Sequence, residues 1–152
     1  MNSIKNDNKK SMIAGIVTCK CPRCRQGNMF VNSNPYSKGF MKMNDNCPVC
    51  GQPLDLEVGF YYGSSYVSYA LTVALSVASL AIWWLTIGIS IHDNRIFYWM
   101  TLNAVLLISM QPILMRIARS GWLNFFVHYD KDWKNVEVKA PERMIKKFQN
   151  AW

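Results

Sequence analysis

Two long uncharged stretches constrain this chain more than any other feature. The first, residues 60–91, contains 32 residues without a formal charge, and the second, residues 96–115, contains 20. A helix rises about 1.5 Å per residue, so about 20 apolar residues cross the ~30 Å hydrocarbon core of a bilayer. The two stretches therefore predict a hairpin of transmembrane helices. Two buried helices of a soluble domain are the alternative, which the length and purity of the stretches disfavour.

The distribution of positive charge predicts how this hairpin is oriented. The chain has 17 Lys and Arg residues and a formal net charge of +8. Eight of these residues precede the first uncharged stretch, eight follow the second, and only Arg95 lies between the two. Because positively charged flanks are retained in the cytoplasm, both termini are expected on that side of the membrane. The first eleven residues lack the apolar segment of a signal peptide, so the first membrane helix is expected to direct insertion.

The ends of the chain are predicted to flank the membrane. Residues 1–18 indicate a polar tail followed by a short lead helix with apolar side chains. Residues 116–152 mix basic and aromatic side chains, which is typical of an interfacial or cytoplasmic amphipathic tail. Its first part forms either an interfacial helix or a continuation of the second membrane helix, and Pro141 opens a last short helix. We expect both parts to lie against the inner leaflet, with packing on the cysteine segment or on another subunit as the alternative.

Four of the five cysteines form two Cys-x-x-Cys pairs, Cys21 with Cys24 and Cys47 with Cys50. Each pair makes a tight turn whose sulfurs converge, and two such pairs supply four thiolates for a tetrahedral metal site. Gly51, directly after the second pair, suits the turn because glycine tolerates positive φ. Residues 19–55 are therefore predicted to form a small β zinc ribbon, with short strands at 29–31 and 40–43. Such a segment has too few apolar residues to fold without a stabilising cross-link such as a bound metal ion.

The expected cofactor is a structural Zn²⁺ held by Cys21, Cys24, Cys47 and Cys50. Four protein ligands leave no open coordination position for chemistry. The alternatives are a redox-active pair, which would require a surrounding βαβ pattern that the sequence lacks, and an iron–sulfur cluster. Cys19 is the odd cysteine, and we interpret it as an unpaired small residue instead of a spare ligand or a redox-sensitive thiol.

Polar and small residues inside the two stretches predict how the helices pack. Neither stretch contains Asp, Glu, Lys or His, which argues against a proton or ion pathway. Asn103 and Gln111 are expected to share one face and to bond across to the first helix. A stripe of small residues is expected to pack within the hairpin in preference to a dimer contact; it consists of Gly59, Gly63, Ala70, Ala74 and Ala78.

Three motifs in this order resemble the DUF983 family of uncharacterised bacterial membrane proteins, in its Bacteroidetes-type branch. They are Cys21-Pro22-Arg23-Cys24-Arg25-Gln26-Gly27-Asn28-Met29-Phe30, then Cys47-Pro48-Val49-Cys50-Gly51, then Gly59-Phe60-Tyr61-Tyr62-Gly63-Ser64-Ser65-Tyr66 entering the hairpin. The resemblance covers roughly residues 12–130 and implies a location in the bacterial inner membrane. It carries no assigned activity. Some relatives are gene neighbours of terminal oxidases, which implies a respiratory complex as the context.

The sequence predicts a non-enzymatic adaptor or assembly factor for a membrane complex. No Ser-His-Asp, His-Glu-x-x-His or phosphate-loop pattern is present to suggest an enzyme. The expected partners are the lipid bilayer and either a membrane protein or a second copy of the chain, met by a basic ribbon surface (Lys20, Arg23, Arg25, Lys38, Lys42). One alternative is nucleic-acid binding by the ribbon, which is not expected because only Phe30, Tyr36 and Phe40 could stack on bases. Another is thiol or metal transfer involving Cys19.

Overall fold

The computed structural model describes residues 11–88 and 93–138, and over these ranges the chain is mainly helical. Its helices are α1 (Met12–Val17), α2 (Ser64–Thr86) and α3 (Arg95–Phe126), and a 3₁₀ turn, Phe60–Gly63, leads directly into α2. Three predicted features lie outside the described residues: the polar tail 1–10, the residue His92 in the turn of the hairpin, and the last helix opened by Pro141.

Helices α2 and α3 form an antiparallel hairpin that is long and apolar enough to cross a membrane. The 23 residues of α2 span about 34 Å. None of the most apolar eighteen-residue stretch of α2 is buried inside the chain, and only 11% of the corresponding stretch of α3 is. A core helix of a soluble protein would be mostly buried. The described chain therefore leaves a large apolar surface uncovered on both helices.

Many polar side chains within the hairpin hydrogen-bond to the protein itself. Most hydroxyl groups donate to a carbonyl one turn earlier in their own helix, as Thr72 does to Ser68 at 2.9 Å. Asn103 of α3 reaches across to α2, where Ser79 Oγ lies 3.0 Å from its Oδ1. Trp99 donates from its indole N–H to the same Ser79 hydroxyl. The expected cross-helix contact is thus confirmed for Asn103, whereas Gln111 makes no side-chain hydrogen bond to α2 within the described residues, so the expectation was wrong for Gln111.

The small-residue stripe divides between two environments. Ala70, Ala74 and Ala78 are exposed on the outer face of α2, so the expectation that they pack within the hairpin was wrong. Ser76 and Ser79 face α3, and residues two positions along a helix point about 200° away from each other. Gly63 does pack closely, because a Cβ atom there would lie 2.1 Å from the ring of Trp122.

Helix α3 does not stop at Met115, where the second uncharged stretch ends. It continues through Pro112 and Met115 to Phe126. The buried residues of α3 all lie in its second half, between positions 114 and 124. They are Leu114, Arg116, Ala118, Ser120, Leu123 and Asn124. Residues 116–126 are therefore a continuation of the membrane-length helix, and they pack against the cysteine segment, which was the alternative to lying against the inner leaflet.

The cysteine segment, residues 19–55, contains no regular strand, so the predicted small β structure was wrong in extent. Three isolated antiparallel bridges take its place: Lys20 with Asn28, Phe30 with Met43, and Asn46 with Pro53. The two segments predicted as strands do meet, at the Phe30–Met43 bridge. They do not propagate into a ladder, because each is followed within a few residues by a turn.

The buried core sits where the cysteine segment meets the end of α3 and the 3₁₀ turn. Met29, Leu54 and Leu123 are fully buried there together with the cysteines. Trp122, Val127 and Trp133 pack against this cluster from the side. After α3 the chain turns back, and Asp130 donates its backbone N–H to the carbonyl of Arg23 at 3.2 Å. The cysteine segment, the end of α3 and residues 127–138 thus share one core.

Candidate metal centre

Two turns with the same hydrogen-bond pattern carry the four predicted ligands. We call residues 21–27 the first knuckle and residues 47–53 the second knuckle. In the first, Arg25 N–H donates to Cys21 O at 2.8 Å, and in the second, Gly51 N–H donates to Cys47 O at 2.9 Å. The residue after the second cysteine is left-handed in both knuckles, with φ of 55° at Arg25 and 71° at Gly51.

The left-handed conformation was predicted for Gly51 and missed for Arg25. A side chain at positive φ costs energy, so an arginine there gives no signal when it is considered alone. The equivalent position in the two knuckles is the signal that could have revealed it.

Each knuckle is also closed at its base. The N–H of the first cysteine donates back across the turn, from Cys21 to Gly27 O and from Cys47 to Gln52 O, both at 2.8 Å. The bridges Lys20–Asn28 and Asn46–Pro53 lie directly below these bonds. The backbone alone therefore fixes where each pair of sulfurs points.

The four sulfurs converge on one point. Cys21 Sγ lies 3.7 Å from Cys50 Sγ, Cys24 Sγ lies 3.7 Å from Cys47 Sγ, and all four lie within 4.8 Å of one another. Four thiolates at the usual zinc–sulfur distance of about 2.3 Å are about 3.8 Å apart in a tetrahedron. A disulfide would require about 2.05 Å. The spacing fits a single tetrahedral metal ion, and the cluster can hold one.

In the absence of a cation, the surroundings of the sulfurs lower the pKa of one cysteine and raise the pKa of two, Cys21 through its hydrogen bond with Cys24 and Cys50 through burial. Cys21, Cys24 and Cys47 are buried and Cys50 is partly exposed. The pKa of Cys24 is lowered, first by a hydrogen bond with the Cys21 thiol and further by the backbone N–H groups of Gly27 and Gln26. Burial, the largest cause, raises the pKa of Cys50 to about 12. Such a set of thiols exchanges protons for a cation, because a positive ion at their centre stabilises all the charges together.

The packing around the centre has no spare room at Gly27. A Cβ atom at this position would lie 2.3 Å from Cys47 Sγ, a distance that real atoms do not tolerate. Gly27 belongs to the first knuckle and Cys47 to the second. The glycine therefore allows the two knuckles to approach closely enough for their sulfurs to meet.

Cys19 does not join the four sulfurs. It is half-buried at the edge of the core, and its backbone is left-handed, with φ of 52°. Desolvation by burial raises the pKa of its thiol. The fifth cysteine is thus a protonated side chain packed beside the centre, consistent with its interpretation as an unpaired small residue.

Two of the basic residues expected to form a partner surface are used inside the protein. Arg23 is only 6% exposed, donates to Val136 O at 2.7 Å and lies 3.5 Å from the Asp130 carboxylate. Arg25 places its guanidinium 4.2 Å from the centre of the Tyr129 ring. Both hold residues 127–138 against the first knuckle. Of the five basic residues, Lys38 and Lys42 are exposed, whereas Lys20 is half-buried and donates to Asn28 Oδ1.

Arg116 is a residue whose role the sequence did not reveal. Its guanidinium donates to the backbone carbonyls of four residues in the cysteine segment, at distances of 2.6 to 3.3 Å: Asn32, Ser33, Asn34 and Phe40. It also lies 4.7 Å from the centre of the Phe30 ring. In sequence it looks like one more positive flank of a membrane helix. In the structure it fastens the cysteine segment to α3.

The comparison with family models supports the family resemblance seen in the sequence. The family model described as a protein of unknown function, DUF983, matches residues 37–126. This range holds the second knuckle, the 3₁₀ turn, α2 and α3, whereas the first knuckle precedes it. Searches among curated proteins and among solved structures found no match. The family match spans more than half of the chain, which therefore belongs to the DUF983 family.

Proposed function

We propose that this chain is a non-enzymatic membrane protein that carries a structural zinc centre and serves as an adaptor or assembly factor for a membrane complex. One observation supports this most directly: the cysteine centre, the 3₁₀ turn that leads into α2 and the end of α3 share a single buried core. A metal-stapled head built into the end of a helical hairpin has a fixed position and orientation relative to the hairpin. Rigid presentation of a surface is what an adaptor requires.

Membrane insertion is supported by the uncovered apolar surface of both helices. Burying this surface in hydrocarbon contributes about 25 cal/mol per Å², while exposing it to water would cost the same. The backbone of both helices and most hydroxyl groups of the hairpin bond within it, as a bilayer favours. The flanking charge supports the inner membrane, with both termini in the cytoplasm. The cysteine head then lies in the reducing cytosol, where thiolates bind metal instead of forming disulfides.

Zinc is the metal that the site suits best. A closed site of four thiolates is typical of structural Zn²⁺, which needs neither an open position nor a redox partner. An iron–sulfur cluster would place several irons and sulfides between the cysteines, and sulfurs only 3.7 Å apart leave room for one ion. Metal analysis of the purified protein checks this. We expect one zinc per chain and four thiols that resist alkylation, whereas a readily lost metal would favour metal or thiol transfer.

A partner experiment tests the adaptor role. The tagged chain is purified from native membranes in mild detergent, alongside Cys24→Ser and Cys19→Ser variants. We expect one membrane protein to co-purify at a fixed ratio with the wild type and with Cys19→Ser, and to be lost with Cys24→Ser. The last variant opens the metal centre and so loosens the head.

Two outcomes would count against this function. A wild-type chain that elutes alone, without a partner or a second copy, would remove the basis for an adaptor. A partner that stays bound to Cys24→Ser would show that the metal-held head does not recognise it. Salt-dependent capture of oligonucleotides by the wild type would instead support the nucleic-acid alternative, through Lys20, Lys38 and Lys42.

A further inference from the structure

A cleft of about 330 Å³ opens where α2 begins beside the second half of α3. Its wall includes Ser65 and Ser68 of α2 together with Gln111, Met115 and Arg119 of α3. The metal centre uses none of these side chains. The volume lies within the range of about 300 to 1,000 Å³ that small-molecule sites occupy. The cleft is thus large enough to hold a ligand separate from the metal.

Arg119 brings positive charge to this cleft. One turn earlier, the Arg116 guanidinium donates hydrogen bonds to the carbonyls of four residues. Arg119, in contrast, donates one hydrogen bond within the described residues, from Nη1 to Met41 O at 3.3 Å. Its guanidinium also lies 5.2 Å from the centre of the Tyr61 ring. Asp55 acts on Arg119 electrostatically but is buried and does not line the cleft. Among the described residues that line the cleft there is no carboxylate, so an anion can approach the guanidinium.

The neutral polar groups of the wall complement this charge. The Ser65 hydroxyl gives its hydrogen to Tyr62 O at 2.6 Å, so its oxygen is left as an acceptor toward the cleft. Within the described residues, the side chains of Ser68 and Gln111 make no hydrogen bond to the protein. Both can donate to ester or phosphate oxygens. The cleft therefore offers donors at Arg119, Ser68 and Gln111.

The polar groups are arranged along the direction of the helices. Arg119 lies at the end nearest the cysteine head, and Gln111 lies eight residues, or about 12 Å, further along α3 toward the apolar part of the hairpin. Met115 lies between them, and the exposed apolar faces of α2 and α3 continue beyond. The cleft thus presents a positive charge, then neutral hydrogen-bond donors, then an apolar surface. A phospholipid presents the complementary groups in the same order: a charged phosphate, then ester oxygens, then acyl chains.

We propose that this cleft binds the phosphate headgroup of an anionic phospholipid. The phosphate accepts hydrogen bonds from Arg119, the ester oxygens accept from Gln111 and Ser68, and the acyl chains follow the apolar faces of the two helices. The inference rests on the proposed membrane orientation, which places Arg119 at the cytosolic headgroup level. A bound lipid of this kind would fix the depth of the cysteine head relative to the membrane.

Lipid retention tests this site. The full-length protein is placed in phosphatidylcholine nanodiscs containing one tenth phosphatidylglycerol, and retained lipid is measured by native mass spectrometry. We expect one phosphatidylglycerol per chain with the wild type, and roughly tenfold weaker retention with Arg119→Gln, because a charge-assisted hydrogen bond is lost. Gln111→Leu, which makes α3 more apolar and so is well tolerated in a bilayer, is expected to weaken retention as well. Arg95→Gln, at the opposite end of the hairpin, is the control and should retain lipid as the wild type does.

Several results would overturn the proposal. Equal retention by the wild type, Arg119→Gln and Gln111→Leu would remove the site, and equal loss with Arg95→Gln would show only general attraction to positive charge. Displacement of the lipid by millimolar inorganic phosphate would assign the cleft to a soluble phosphate compound. Carbonate extraction of the same variants measures insertion separately, so failure of the membrane assignment is distinguished from failure of the lipid site.

Discussion

Single residues decide whether the metal centre forms, and Gly27 is the clearest case. The two knuckles approach each other at this glycine and the Cys47 sulfur. Arg25 and Gly51 provide the left-handed turns at equivalent positions. Their costs differ, because glycine adopts this conformation freely and arginine does not. The stacking of Arg25 on Tyr129 and the 2.8 Å bond from its N–H to Cys21 O offset part of that strain.

We predict that Gly27→Ala impairs metal binding. The added methyl group would lie 2.3 Å from Cys47 Sγ, so one knuckle must move and the tetrahedron opens. Overpacking of this kind typically costs about 1–3 kcal/mol, and here the cost falls on the metal site. Zinc content per chain and the thermal midpoint of the purified protein should both fall. Gly15→Ala in α1 is the matched control, since a Cβ atom there meets nothing within 4 Å, and it should leave both values unchanged.

Among the elements of the fold, α3 has two different tasks. Up to about Ile113 it is part of an apolar hairpin with little buried surface, and from Leu114 onward it is the central support of the cysteine head. The charged residues after Met115 indicated an interface, and they do mark the change. Arg116 and Arg119 face the cysteine segment, where Arg119 also bonds to Met41 O. The helix therefore connects the hairpin rigidly to the head.

We predict that Arg116→Gln detaches the cysteine segment from α3. The substitution leaves the carbonyls of residues 32–34 and 40 without their charged donor, at an expected cost of about 3 kcal/mol. Limited proteolysis should cut within residues 32–42 at least several times faster than in the wild type, while zinc stays bound by the knuckles. Arg95→Gln, whose side chain bonds to Ile87 O at the far end of the hairpin, should not change the cleavage rate. Unchanged proteolysis of Arg116→Gln would show that the head is held by its apolar core alone.

At the scale of the whole molecule, the four cysteines that could hold a metal all lie in the head, and the hairpin contributes none of them. The head has a small core, of which four cysteines form a large part. The hairpin holds its own hydrogen bonds along both helices. Among the described residues, the head contacts it at the 3₁₀ turn, along the second half of α3 and at Ser109, whose carbonyl accepts from the Tyr36 hydroxyl at 2.7 Å. The two parts are joined through Phe60, Trp122 and Leu123, and Trp122 donates its indole N–H to Phe60 O at 2.8 Å.

We predict that removing the metal unfolds the head and spares the hairpin. With a strong chelator, the far-ultraviolet circular dichroism signal of the helices should fall only slightly, because α2 and most of α3 persist. Tryptophan fluorescence should shift, since Trp122 and Trp133 pack against the core around the cysteines. Cys19→Ser should bind zinc and respond to the chelator as the wild type does. Loss of most helical signal would contradict this division, and loss of zinc in Cys19→Ser would make the fifth cysteine a ligand.

The two membrane-length helices and the cysteine cluster could be predicted from the sequence, because each depends on residues that are close together in the chain. Freedom from charge over residues 60–91 and 96–115 is enough to predict two membrane-length helices. The spacing of Cys21, Cys24, Cys47 and Cys50 is enough to predict sulfurs that converge. The order of these motifs also identified the family. The same reasoning about amides in an apolar helix was right for Asn103, which bonds to α2, and wrong for Gln111, which makes no such bond within the described residues.

Only the tertiary structure decided what depends on contacts between distant segments. The lack of regular strands in residues 19–55, the burial of Arg23 and the outward-facing alanines of α2 all follow from which surfaces meet. The role of Arg116 depends on carbonyls more than 75 residues earlier in the chain, and a positive charge after a membrane helix looks the same whether it faces lipid or protein. The cleft at Arg119 is likewise a space between two helices, which no single segment encodes. The local sequence determined the helices and the four candidate metal ligands. The packing of the head on α3 determined which contacts Arg23, Arg116 and Arg119 make, because these contacts join segments that are distant in the chain.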